Sequence, residues 1–161
     1  LCNVDEASAA TGNNHTRAVA EAIQAEGAQM LIVAAATEAD IAELESYEER
    51  QMFLADLGLE ESGVSRLIRA AYALLNLETY FTTGPDETRA WTYARGTKAP
   101  QAAGIIHTDF EQGFIRAEVI KFADYVALGS EKACREAGKI GIEGKEYVVQ
   151  DGDIMHFLFN V

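Results

Sequence analysis

The chain has 161 residues, enough for one ordinary domain or two small ones, and its 48% hydrophobic content supports a packed core and excludes intrinsic disorder. The formal charge of -13 excludes tight, nonspecific binding to nucleic acid. That charge is uneven: up to Leu77 there are 13 acidic and 4 basic residues, and from Glu78 onward 13 and 9, so a local basic face remains open to the second half.

No apolar run approaches the ~20 residues that span a bilayer, so no membrane partner is expected. A basic-then-apolar export segment is lacking too, and a cytoplasmic setting is the expectation. Cys2 and Cys134 are far apart and lack ligand spacing, which reads as two reduced thiols. The opening Leu1, Cys2, Asn3 and Val4 resemble the end of a buried strand whose beginning is missing, so the chain is expected to be a fragment of a longer protein.

In chain order, a polar loop follows that strand and closes at Gly12, Asn13 and Asn14. A helix is expected from there to Glu26, with Val19, Ala22 and Ile23 inward and Gly27 as its stop. Residues 30–34 form a continuous apolar run, the pattern of a strand buried on both faces, and the three elements make a βαβ unit. Residues 38–44 read as a short helix. Ser46 and Glu49 form a capping box for the next, whose apolar edge is Phe53, Leu54 and Leu57 and whose stop is Gly58. Val64, Leu67, Ile68, Ala71, Leu74 and Leu75 have amphipathic helical spacing, and that helix is expected to pack across the preceding elements and end near Leu77.

Residues 80–82 and 90–93 read as strands joined across the turn 84–87. A short helix with Pro100 in its first turn is expected to end at His107, Thr108 and Asp109 and, after Gly113, to drop into a core strand. In that strand Ile115, Ala117 and Val119 should face inward and Arg116 and Glu118 outward. Residues 122–128 and 130–137 are short helices, the second capped by Ser130 and stopped by Gly138. Residues 140–142 and 147–150 are expected to form a hairpin, and 154–159 a last strand. A helix dropping into a strand and flanked by hairpins is the middle of a β-grasp sheet.

Chemistry is sparse. The phosphate loop GxxxxGK[ST] is absent from this sequence, since the Gly-Lys pairs at 138–139 and 144–145 lack both the preceding glycine and the following hydroxyl. His15, His107 and His156 have neither HxxxH nor HxH spacing, so no metal site is expected and each is read as a surface, cap or packing residue. No nucleophile and base are paired, and no catalytic residue is assigned. Trp91 and Tyr93 could stack on bases, although aromatics in a strand are more often core residues. The acids Glu43, Glu45, Glu48 and Glu49 read as a solvated helical face.

Long collinear runs carry a more specific signal. They are NVDE at 3–6, AAATE at 34–38, RAAYALLNLETYF at 69–81, RAWT at 89–92, GTKAPQAA at 96–103, IHTDF at 106–110, GFIRAEV at 113–119 and VQDGD at 149–153. Together they resemble the C-terminal part of the YchF (Obg-like) ribosome-binding ATPases. The resemblance implies an α/β architecture: residues 1–77 as the end of a P-loop GTPase-like domain, and residues 78–161 as a β-grasp (ubiquitin-like) TGS domain. It implies that residues 3–6 replace the usual NKxD base-reading motif, with Glu6 where an Asp would read guanine, in keeping with a preference for ATP. Asn3 and the Val4 backbone would then meet adenine, while a loop of Ala34, Ala35 and Ala36 closes over the base.

By the same resemblance, ATP and magnesium belong to the full-length parent, whose phosphate loop and magnesium ligands would precede Leu1, and neither is expected on this chain alone. The implied partners are the missing N-terminal nucleotide domain and the ribosome or its RNA, with Arg89, Arg95, Lys98, Arg116 and Lys121 as candidate contacts. A competing reading makes the TGS part a protein-interaction or intramolecular module with an exposed apolar patch. Convergence of those five bases on one face would favour RNA; scattering, or pairing with neighbouring acids, would count against it.

Overall fold

The computed structural model describes residues 1–84 and 87–160, so Pro85 and Asp86 of the expected 84–87 turn lie outside the described residues. The chain divides into two compact units, Leu1–Ala73 and Leu74–Val161. Among the described residues no helix is long and apolar enough to cross a membrane.

In the first unit, β1 (Cys2–Asn3) and β2 (Ile32–Val33) pair in parallel, with α1 (Asn14–Ile23) between them in sequence, which is the expected βαβ unit in short form. Asn13 and Thr16 close a capping box at the start of α1. A 3-10 turn over Gln24–Glu26 ends at Gly27, whose φ of 63 suits a residue without a Cβ. The expected inward face is corrected. Val19 is 40% exposed and Ala22 is exposed, whereas Thr16 is buried and Ala20 and Ile23 are half-buried. The capping box turns Thr16 inward, and this sets the phase of the helix.

Next come α2 (Ala35–Glu43), α3 (Tyr47–Asp56) and α4 (Gly63–Leu74). The capping box of Ser46 and Glu49 is present, and Leu54 is the buried residue of α3. The helix α4 is a second correction. Its apolar stripe does not pack on the unit: Val64, Leu67, Ile68 and Leu74 are 42–62% exposed. Buried Gly63 and half-buried Arg66 face inward instead, through hydrogen bonds from Gly63 N–H to Glu38 (2.5 Å) and from Arg66 Nη2 to the Ile32 carbonyl (2.9 Å). Periodicity shows which residues share a face, not what that face meets.

The second unit is a five-stranded sheet in the order β4-β3-β7-β5-β6, formed by β3 (Leu77–Thr83), β4 (Thr88–Ala94), β5 (Phe114–Ile120), β6 (Ile140–Glu143) and β7 (Ile154–Phe159). The first and last strands, β3 and β7, are adjacent and parallel; the other pairs are antiparallel. This is the order of a β-grasp sheet. The cradled helix is α5 (Ala99–Ile106). Ala99, Ala102, Ala103 and Ala117 are fully buried, and their small side chains let the helix lie close to the sheet over Tyr80, Tyr93, Val119, Met155 and Phe157. The Tyr80 hydroxyl donates to the Ala102 carbonyl at 2.8 Å, which satisfies the one polar atom of that ring inside the core. The opposite sheet face packs Ile120 and Ile154 with Cys134 of α8 (Glu131–Glu136) and Tyr125 of α7 (Phe122–Leu128).

Three local expectations are corrected. Ile115 is 56% exposed and Phe114 is buried, because a register shift between Phe114 and Arg116 inserts Ile115 as an extra residue and flips the alternation before it. Residues 147–150 do not form a hairpin with β6: Val148 makes an isolated bridge with Lys98, and β6 pairs with β5. The tripeptide after Ile106 does not simply end α5. His107 caps α6 (Thr108–Gln112), its Nδ1 accepting from Asp109 N–H at 3.2 Å.

Candidate functional site

The carboxyl ends of parallel strands are where an open α/β sheet presents ligand-binding groups. At that end of the first unit, β1 delivers Asn3 and Val4, and β2 delivers Ala34 and the first turn of α2. Residues 34–36 are not a free loop, because Ala35 already opens a helix. Alanine favours helix, and the orphan donor at its start finds a partner across the strands: Ala35 N–H donates to Asn3 Oδ1 at 3.0 Å. Val4 N–H donates to the Val33 carbonyl at 2.9 Å, extending the pairing past β1. Asn3, Glu6, Ala35 and Ala36 are exposed; Val4 is half-buried and Ala34 is buried. Asp5 is engaged locally, its carboxylate accepting from Ser8 N–H at 3.0 Å. Asn3 and the alanine turn therefore form one exposed edge, and the Asn3 amide nitrogen has no hydrogen bond there among the described residues.

A residue that sequence reasoning missed stands behind this edge. Glu38, one turn into α2, reaches the start of α4, where its Oε1 accepts from Gly63 N–H. A Cβ on Gly63 would meet Glu38 Oε1 at 2.8 Å and Val33 Cγ1 at 3.0 Å, so any larger residue there must displace the glutamate carboxylate and press on Val33. The available signal was the glutamate that closes the AAATE run two residues after the last alanine, a position read only as part of that run and as the start of a helix.

The five candidate bases do not form one patch. Arg89 shares the α5 side of the sheet with Trp91, its guanidinium lying 4.6 Å from the indole centre. Arg116 has the parity of Glu118, on the opposite side, where Glu118 meets Arg135 of α8 at 2.8 Å. Four of the five face acids: Arg89 and Glu87 at 4.0 Å, Arg95 and Glu78 at 2.8 Å, Lys98 and Glu146 at 2.5 Å, Lys121 and Asp153 at 2.6 Å. Trp91 and Tyr93 are also committed. The indole N–H donates to Thr82 Oγ1 at 2.9 Å, and buried Tyr93 donates to Glu78 at 2.9 Å.

The strongest polar network of this unit is built on Asp153, whose side chain is fully buried. Its carboxylate accepts from Lys121 Nζ, Tyr147 OH (2.6 Å) and Gln150 N–H (2.9 Å). Burial and the hydrogen bond to Asp153 push the Tyr147 hydroxyl up to about 12. For the Lys121 ammonium, burial pulls downward, but the hydrogen bonds to Asp153 and Tyr147 outweigh it and leave it above its ordinary value. Burial, with Glu78 beside it, also pushes Tyr93 up. These groups hold the sheet together and offer no reactive constellation. Among the described residues no three His, Cys, Asp or Glu side chains are grouped to hold a metal.

Comparison with known proteins gives a consistent result. The YchF-GTPase_C family model, described as a protein of unknown function (DUF933), matches residues 77–160, about half of the chain. The chain is 54% identical over 157 residues to the ribosome-binding ATPase YchF of Bacillus subtilis, covering 98% of this chain and 43% of that protein. It is 52% identical over 134 residues to human Obg-like ATPase 1, covering 83% and 33%. A solved YchF GTPase of Schizosaccharomyces pombe superposes with a TM-score of 0.84 at 37% identity, over 97% of this chain and 42% of that one. The chain thus spans less than half the length of these relatives.

Proposed function

The chain belongs to the YchF (Obg-like ATPase) family, and from that premise we propose that it carries the base-recognition end of an ATP site joined to a TGS module that serves ribosome contact. The observation behind the first part is the hydrogen bond between Asn3 and Ala35, which makes one edge of the two strand ends. On that edge Asn3 and the Val4 backbone meet adenine, Glu6 stands where an aspartate would read guanine, and residues 34–36 close over the base. Triphosphate and magnesium are held elsewhere in the longer parent, since this sequence contains no GxxxxGK[ST] loop. The setting is cytoplasmic. By itself the chain does not hydrolyse ATP, and calorimetry should detect no micromolar ATP binding. Titration of the 15N-labelled chain with millimolar adenosine tests the base edge: the Ala35 and Ala36 amides and the Asn3 side-chain amide should shift. Shifts confined to the second unit would count against the assignment.

For the TGS module the ion pairing favours a second reading, contact with protein rather than RNA. The cations proposed for RNA are split between sheet faces and mostly paired, while Phe122 and Val126 of α7 are 53% and 62% exposed. Ribosome co-sedimentation at rising salt separates the two readings, because phosphate contacts weaken steeply with salt and apolar contacts do not.

A further inference from the structure

The alanine turn poses a physical problem. Ala34, Ala35 and Ala36 carry only methyl groups, so no side chain of theirs can hold their backbone against a ligand. Two other side chains do so. One is Asn3, through Ala35 N–H at 3.0 Å. The other is Glu38, on the same first turn of α2, whose carboxylate is fixed 2.5 Å from Gly63 N–H. Gly63 begins α4, a helix of 12 residues whose first N–H groups have no partner within the helix and carry partial positive charge, which suits a carboxylate. One turn further on, Arg66 bonds the Ile32 carbonyl of β2, so the start of α4 braces both β2 and the turn that follows it. Gly63 is buried, and the missing Cβ is what lets Glu38 and Val33 close on it.

We propose that Glu38 is a positioning residue for the purine base: anchored on Gly63 N–H, it holds the backbone of residues 34–36 at the distance from Asn3 that adenine requires. This rests on the base-edge assignment above. Glu38 does not touch the ligand; it acts through the turn. Its hydrogen bond needs an acceptor more than a charge, so Glu38→Gln keeps the brace and Glu38→Ala loses it.

The test is an adenosine titration of three 15N-labelled chains: unchanged, Glu38→Gln and Glu38→Ala, followed at the amides of Ala35 and Ala36, with circular dichroism melts to score folding. The expectation is about a tenfold weaker adenosine affinity for Glu38→Ala, the scale of one lost hydrogen bond to a charged group, with affinity restored in Glu38→Gln. A merely structural role would instead lower the melting temperature of Glu38→Ala and leave the affinity of its folded fraction alone. Should Glu38→Ala bind as tightly as the unchanged chain, or should Glu38→Gln fail to restore binding while folded, the positioning role is overturned and the base edge stands. Should the unchanged chain show no adenosine shifts at Ala35 and Ala36, the base edge itself falls and the proposal with it. Were Glu38→Ala not to fold, Gly63→Ala, which pushes the carboxylate away by steric contact, provides the same comparison.

Discussion

At the scale of single residues, Asn3 and Gly113 show how one position can be set by a partner remote in sequence. Asn3 caps a helix 32 residues away. Asn3→Ala should lower unfolding stability by about 1 kcal/mol, the usual worth of a cap, read as a shift in urea midpoint, whereas Asn3→Asp keeps an acceptor and should lose less. Gly113 has a φ of -85, open to any residue, so its backbone angle does not demand glycine. What demands it is the close approach of the Asn160 backbone, whose carbonyl a Cβ would strike and whose N–H donates to the Gly113 carbonyl at 2.9 Å. Gly113→Ala should cost roughly 1–3 kcal/mol through overpacking, measurable by thermal melting. The sequence marks Gly113 as a turn, and only the fold shows that the reason is contact with the last strand's exit.

At the scale of elements, the turn at 149–153 is the join of the second unit. Asp151 accepts from Thr79 N–H at 2.9 Å, Gly152 N–H donates to the Thr79 carbonyl, and the Asp153 carbonyl accepts from Phe81 N–H, so the turn pins β3 alongside β7. Asp153→Ala would leave Tyr147 and Gln150 N–H without their acceptor and should cost roughly 2–3 kcal/mol in chemical denaturation. The same network makes stability depend on alkaline pH. The Tyr147 hydroxyl is raised from 10.0 to about 12 in the folded chain, so its contribution is whole below pH 10 and is lost as pH rises from 10 toward 12. Melting temperatures should therefore fall over that window, and Tyr147→Phe should flatten part of the slope; an unchanged slope would refute the assignment. Helix caps such as Ser46, Ser130 and Gly27 were legible because capping chemistry is local. The exposure of Ile115 was not, because a bulge is decided by the partner strand.

At the scale of the whole chain, the two units differ in how much they bury. The first has few buried residues, chiefly Val33, Ala34, Ile41 and Leu54, while the second has an extended core around Tyr80, Met155 and Val149. Residues 74–161 alone should therefore give a cooperative circular dichroism melt close to that of the second unit in the full chain, and a featureless melt would disprove this. The amino-acid sequence by itself determined the order of nearly all elements, the α/β class, caps such as Ser46 and Ser130, and the family, since these rest on periodicity, on turn chemistry and on long runs of specific residues. Only the tertiary structure decided which way α4 turns its apolar stripe, that the candidate cations lie on different faces beside acids, and that Glu38 braces the alanine turn. Each of those depends on what a side chain meets across space, and spacing along a chain carries no record of that.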